Sequence, residues 1–197
     1  MPKQSLTMPL PPHLSRLRPR GKPISVITEN FLLRTMKESD ASETFIGWLK
    51  SREILSGLNI PPRSWTIDSL RGFFNSFDCL GRHLIGIEDR KTNALIGFYV
   101  VDINRTHRTA QMTAGIGDTS YVGKHVLYEA SPALVRYLFK EREVDKVSAR
   151  VVSTNRRMLF NFLIPDVFQF EARLRQEVRT PDGKRADILV FSALKNP

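Results

Sequence analysis

The chain holds a single cysteine, Cys79, among 197 residues, so no disulfide can close within it, which fits a reducing compartment. Its four histidines are scattered without metal-ligand spacing, and no structural metal is expected. Long apolar runs are missing as well. None approaches the roughly 20 residues of a membrane-spanning helix, and the start lacks the continuous apolar segment of a secretory signal. The simplest expected location is therefore cytoplasmic, with no membrane span. Acids are absent before Glu29, whereas Lys3, Arg16, Arg18, Arg20 and Lys22 all precede it.

What remains has an ordinary composition for a globular protein, 41% hydrophobic and 25% charged, enough to bury one sizeable core. Half of the net charge of +10 comes from those five early cations, so the body is only mildly basic. Residues 1–23 also carry six prolines and no apolar periodicity, and read as a disordered basic tail. A single folded domain is expected over 24–197. The tail admits binding to RNA, ribosome or anionic lipid, or no partner at all. Its prolines oppose the amphipathic helix of a transit peptide. The interleaving of basic and aromatic residues typical of a nucleic-acid surface is lacking, so nucleic acid is not an expected partner.

Periodicity divides the body into elements. Val26–Arg34 is rich in β-branched residues and reads as a first strand. Asp40 and Glu43 suggest a capping box for a helix carrying Phe45, Ile46, Trp48 and Leu49, and Gly57 and Pro61–Pro62 close that region. Thr66 caps a second helix whose apolar face includes Phe73, Phe74 and Phe77, a spacing that favours core over a substrate mouth. The period then changes to strands at His83–Glu88, Ala94–Asp102 and Thr109–Ile116. A helix follows with Leu127, Ala130, Leu134 and Leu138 on one face, Pro132 being placed near its early turns. Lys146–Val152 is a strand, Asn155 to about Leu163 a short helix, and Val167–Arg179 and Ala186–Leu194 pair across the turn at Thr180–Lys184. Such an order implies an α/β fold, a mixed, mostly antiparallel sheet with flanking helices.

The stretch 111–139 draws the most attention. A strand empties into a polar turn, and Tyr121-Val122-Gly123-Lys124 then leads directly into a helix. A helix start offers unpaired N–H groups and the positive end of its dipole, which suits a phosphate.

In element order, and in Gly123-Lys124, Glu129-Ala130, Tyr137-Leu138-Phe139, Asn155 and Asp187, the chain resembles the GNAT superfamily of N-acetyltransferases. Within it the resemblance is strongest to the branch acting on ribosomal-protein N-termini. It implies a sheet splayed between the fourth and fifth expected strands, and acetyl-CoA as cosubstrate. The pantetheine arm would then run along Gly115, Ile116 and Gly117, and the pyrophosphate would sit on Gly123, Lys124, His125, Val126 and Leu127. Asn155 would hydrogen-bond the arm or orient the thioester.

The family's Q/R-x-x-G-x-G/A signature falls on Val122–Leu127, where Val122, His125 and Leu127 replace the polar and small residues. This degenerate loop predicts crowding at the phosphate seat, with His125 either a phosphate contact or a mark of decay. Gln111 stands where many members carry an acid, and Met158 where others carry Tyr or Ser, so no catalytic residue is assigned. Asp118, His107 and Tyr121 lie near enough in sequence to be weighed as acid or base, Asp118 more as a turn stabiliser. The expected function is acetyl-CoA-dependent N-acetyltransfer to a small-molecule, peptide or protein amino group. The alternative is a non-catalytic GNAT-fold module with a decayed CoA site. A homodimer is left open.

Overall fold

A computed structural model describes residues 21–163 and 167–195. Of the expected tail, residues 1–20 lie outside the described residues, while the Gly21 N–H donates to the Asp78 carbonyl and Arg142 reaches the Lys22 and Pro23 carbonyls.

One sheet organises everything else. Its eight strands are β1 (Ser25–Ile27), β2 (Phe31–Thr35), β3 (Arg82–Asp89), β4 (Leu95–Asn104), β5 (Thr109–Ile116), β6 (Lys146–Val152), β7 (Gln169–Arg179) and β8 (Arg185–Leu194). They lie in the order β1-β2-β3-β4-β5-β6-β8-β7. Every neighbouring pair is antiparallel except β5 with β6. The single first strand expected from sequence is instead a tight hairpin, β1 and β2. Thr28 closes it, its side chain accepting the Phe31 N–H and donating to the Phe31 carbonyl. The strands expected to splay thus become the fifth and sixth.

Five helices flank the sheet: α1 (Glu43–Lys50), α2 (Arg52–Leu58), α3 (Ile67–Asn75), α4 (Val126–Glu141) and α5 (Arg156–Leu163). The first cap is Ser42, whose hydroxyl accepts the Phe45 N–H, not Asp40. Asp40 is engaged by Arg34, which also holds Glu88, and it accepts the Lys37 N–H. Ser51 interrupts the helical run with an extended backbone, which makes α1 and α2 two helices rather than the expected one. Pro132 is the seventh residue of α4, deeper than expected, so the Tyr128 carbonyl loses its intrahelical donor.

The two faces of the sheet carry separate cores. On one, α4 packs Leu134, Val135 and Leu138 onto Leu33, Ile85, Tyr99 and Val101. On the other, α1 and α3 build an aromatic layer in which Phe45 meets Trp48, Phe74 and Phe98 at centroid distances of 5.3, 5.1 and 5.4 Å. Phe73 joins that layer edge-on to Phe77 at 5.1 Å, so the three phenylalanines of α3 belong to core. Two different cores on one sheet leave its ends free to open.

The sheet does open between β5 and β6. Their pairing is confined to Thr109–Lys146, Ala110–Val147 and Gln111–Ser148, whereas β5 stays paired with β4 as far as Ile116 and β6 with β8 as far as Val152. Beyond Gln111 the two strands part.

Candidate active site

The parting leaves a backbone edge whose direction follows from neighbouring hydrogen bonds. The Gly117 N–H donates to the Ile96 carbonyl of β4, while the Ala110 carbonyl accepts from the Ser148 hydroxyl of β6. Backbone groups alternate along a strand, so Met112, Ala114 and Ile116 point theirs away from β4; the Gln111–Ser148 pairing takes up the Met112 N–H, and Ala114 and Ile116 present theirs to the opening. Gly115 and Gly117 turn theirs to β4. Of the three residues expected at this edge, Ile116 presents polar backbone to the opening, and Ala114 is the neighbour that the sequence reading left out. Gly117 has a different duty. A Cβ there would lie 1.9 Å from the Trp48 ring, so glycine lets α1 close over the strand end.

The strand then turns through Asp118, whose carboxylate accepts the Ser120 N–H and caps the short 3-10 turn Thr119–Tyr121. Tyr121 donates its hydroxyl to Asp89 at 2.9 Å, a bond that holds the phenol above its ordinary pKa. His107 lies in the turn before β5, at the end remote from the opening, roughly 23 Å away for seven strand residues. Neither residue is free at the opening to move a proton, and Asp118 serves its turn.

Gly123 at φ 81° and His125 at φ 56° twist the chain into the start of α4. The N–H groups of Gly123, His125, Val126, Leu127 and Tyr128 meet no acceptor among the described residues. That is the open donor set expected of an anion seat. The side chains behave individually. Lys124 lays its ammonium over the Tyr121 ring at 4.7 Å, outside the cleft. His125 is exposed, its ring edge-on to Tyr128 at 6.1 Å. Leu127 is 5% exposed and packs into the α4 core while bordering the cleft, so its bulk is not projected over the helix start.

These pieces line one cleft of about 620 Å³. Its walls bring together Gly115, Ile116, Gly117, Gly123, His125, Val126, Leu127 and Asn155, that is, every expected binding residue except Lys124. Asn155 caps α5, its amide oxygen accepting the Met158 N–H at 3.1 Å and its amide nitrogen donating to the Gly57 carbonyl at 3.0 Å. It therefore ties α5 to α2 across the opening. Arg156 and Phe160, exposed on α5, border the mouth, and Arg157 pairs with Glu53 of α2. Sequence reasoning missed this α2–α5 wall, because its residues converge only through Asn155 and that ion pair.

A second hollow of about 270 Å³ adjoins the first, sharing Ala114, Leu127, Asn155 and Met158 with it. Leu127 and Ser131 border it from the α4 side, Gln111, Thr113 and Arg150 from the opposite face. It thus passes through the sheet where β5 and β6 separate. The Ser131 hydroxyl is 2.9 Å from that of Tyr99, whose burial raises its pKa.

Two of the remaining sequence pieces are structural. Glu129 accepts both the backbone N–H and the side-chain amide of Asn30 at 2.8 Å, fixing α4 to the β1–β2 turn. Asp187 accepts the Gln176 N–H and the Arg173 guanidinium, shaping the bulge of β7.

Among solved structures, the chain matches a spermidine N-acetyltransferase from Vibrio cholerae, determined in complex with CoA and spermine, at TM-score 0.75 and 21% identity, over 84% of this chain and 95% of that one. It matches a ribosomal-protein-S5-alanine acetyltransferase from Vibrio fischeri at 0.75 and 18%, over 88% and 97%. A GNAT-family acetyltransferase from Bacillus anthracis matches at 0.70 and 18%, over 87% and 98%. At these identities the likeness establishes the fold. No curated protein matches in sequence. The profile described as Acetyltransferase (GNAT) domain matches residues 30–159, well over half of the chain, and the protein belongs to the GNAT acetyltransferase family.

Proposed function

We propose that the chain is an N-acetyltransferase that takes acetyl-CoA as cosubstrate and an amine as acceptor. The observation that carries this reading is the meeting, in one cleft, of the open β5 edge with the uncapped start of α4. An amide-bearing arm needs a strand edge, and a pyrophosphate needs clustered N–H donors. Ala114 and Ile116 would pair with the pantetheine arm. Gly123 and His125 through Tyr128 would hold the phosphates. Lys124 has only to leave the Tyr121 ring to add its charge, and Arg156 stands at the mouth.

Bound there, acetyl-CoA supplies an acetyl group activated as a thioester. The protein's part is to hold donor and acceptor in one orientation, which by itself lowers a bimolecular barrier substantially. Asn155, whose amide oxygen holds α5 and whose amide nitrogen holds α2, acts as a positioning residue. The degenerate signature leaves the seat usable, because Leu127 is turned to the core and the donors are backbone groups.

The second reading, a non-catalytic module, is favoured by one feature. The place on α5 where other family members carry Tyr or Ser is Met158, which cannot give a proton. Incubating the protein with acetyl-CoA and an amine panel while following free thiol separates the two. The enzyme reading expects thiol release that depends on amine; CoA binding with no release for any amine supports the module.

A further inference from the structure

We infer that the acceptor is an α-amine whose own molecule carries a carboxylate, received by Arg150 in the hollow that passes through the sheet. This rests on the acetyltransferase reading above. With the donor in the larger cleft, the hollow that shares its inner wall at Ala114 and Met158 offers an approach to the thioester through the sheet.

The chemistry of that approach is one-sided. Among the described residues no Asp, Glu, His or Lys lines it, and its one charge is Arg150. Glu177 pairs with Arg150 at 2.8 Å without bordering the hollow. That contact uses one Nη donor of a guanidinium that has five N–H groups, so others stay available to a second carboxylate. The remaining polar lining, Asn59, Gln111, Thr113, Ser131, Asn155 and Asn161, is neutral and suits amide-like groups. In the larger cleft the one acid is Glu53, already held by Arg157.

Two consequences follow for the acceptor. A polycation such as a polyamine meets no free carboxylate among the described residues, since Glu177 and Glu53 are each held by an arginine. No carboxylate or imidazole in the hollow can take a proton from an ammonium, so the amine must arrive neutral. At pH 7.5 the α-amino group of a peptide, with pKa near 7.8, is about one-third neutral, against about a thousandth for a lysine-like amine near 10.4, and a free amino acid, whose own carboxylate raises its α-amine, lies between the two. In the transfer the nitrogen lone pair forms the N–C bond as the C–S bond breaks with its electrons on sulfur. The proton released from nitrogen goes to solvent, which also protonates the sulfur.

The test uses the full chain and begins with calorimetric titration of acetyl-CoA, since absence of binding defeats the acetyltransferase reading itself. Three acceptors are then compared by binding without donor and by amine-dependent thiol release: free glutamate, a short peptide with an N-terminal serine followed by glutamates, and spermidine. The inference expects one or both carboxylate-bearing α-amines to bind and react, the two distinguishing a small acceptor from a peptide N-terminus, with spermidine at least about tenfold poorer in kcat/KM. Arg150→Gln should raise KM for the carboxylate-bearing acceptor about tenfold with little change in kcat, and Arg150→Lys should recover part of the loss. Acetyl-CoA binding with spermidine preferred, with no reaction of either α-amine, or with KM unmoved by Arg150→Gln overturns it.

Discussion

His125 stands one step before α4 at φ 56°, a backbone region where glycine alone pays no steric cost. His125→Gly should therefore stabilise the fold by about 1 kcal/mol and raise Tm by about 2–4 °C in calorimetry, while bringing the phosphate seat closer to its ligand. The sign of this effect depends on a dihedral angle that no residue pattern displays. Leu127→Ala is a different matter, because truncating a buried leucine costs about 2–5 kcal/mol and would obscure any gain in binding. His83 makes a second residue-scale prediction. It is fully buried on β3, and neither ring nitrogen has a hydrogen-bond partner in good geometry among the described residues. Burial first, and then the charge of Arg142, push its pKa below the usual value, with Leu80, Asp78 and Asp102 only partly opposing them. The unfolded chain thus binds the proton more readily than the folded one. Stability from neutral His83 is complete above about pH 6.5 and is lost as pH falls below it. Urea midpoints measured from pH 7 to 5.5 should decline for wild type and flatten for His83→Leu. Nothing in the spacing around His83 distinguished it from the three other histidines.

α4 is the element on which the cleft depends, and its place is set partly by Glu129. Removing that carboxylate strands two donors of Asn30, so Glu129→Ala should cost about 1–2 kcal/mol in urea denaturation. The Glu129 pKa is lowered even though burial opposes the shift, through its bonds to Asn30 and Thr28. The contribution is therefore present above the unfolded carboxylate value and is lost as pH falls through the folded one, well below the His83 window. At this scale the sequence was legible where periodicity ran long. α3, α4 and the β3–β4 hairpin stand close to where their apolar spacing put them. It was less legible where one residue redirects the chain. Ser51 divides α1 from α2 by adopting an extended backbone, and the Thr28 turn folds one expected strand into two. The open edge could be placed only to within a residue, because which backbone groups face outward depends on the register of β4 against β5.

At the scale of the whole molecule, the opening between β5 and β6 is the consequence of the strand order. One parallel contact of three residue pairs joins two antiparallel blocks, each with its own packing. That architecture was implied by the order of elements, whereas the α2–α5 wall and the through-sheet hollow required contacts between residues about a hundred positions apart. The boundary of the folded domain is testable in the same terms. Residues 1–20 have no apolar periodicity to bury, and deleting them should leave Tm unchanged. Deleting 1–23 also removes the carbonyls that Arg142 holds and the Gly21 N–H bonded to Asp78, and should lower Tm by several degrees. The most direct test of the central claim, that the β5 edge and the start of α4 together form the seat for CoA, is amide hydrogen exchange on the full chain with and without CoA at about 1 mM. The account predicts slowed exchange at the N–H groups of residues 114 and 116 and of 125–128, with the β7–β8 hairpin unchanged. Unaltered exchange in both segments, or protection centred elsewhere in the chain, would contradict it.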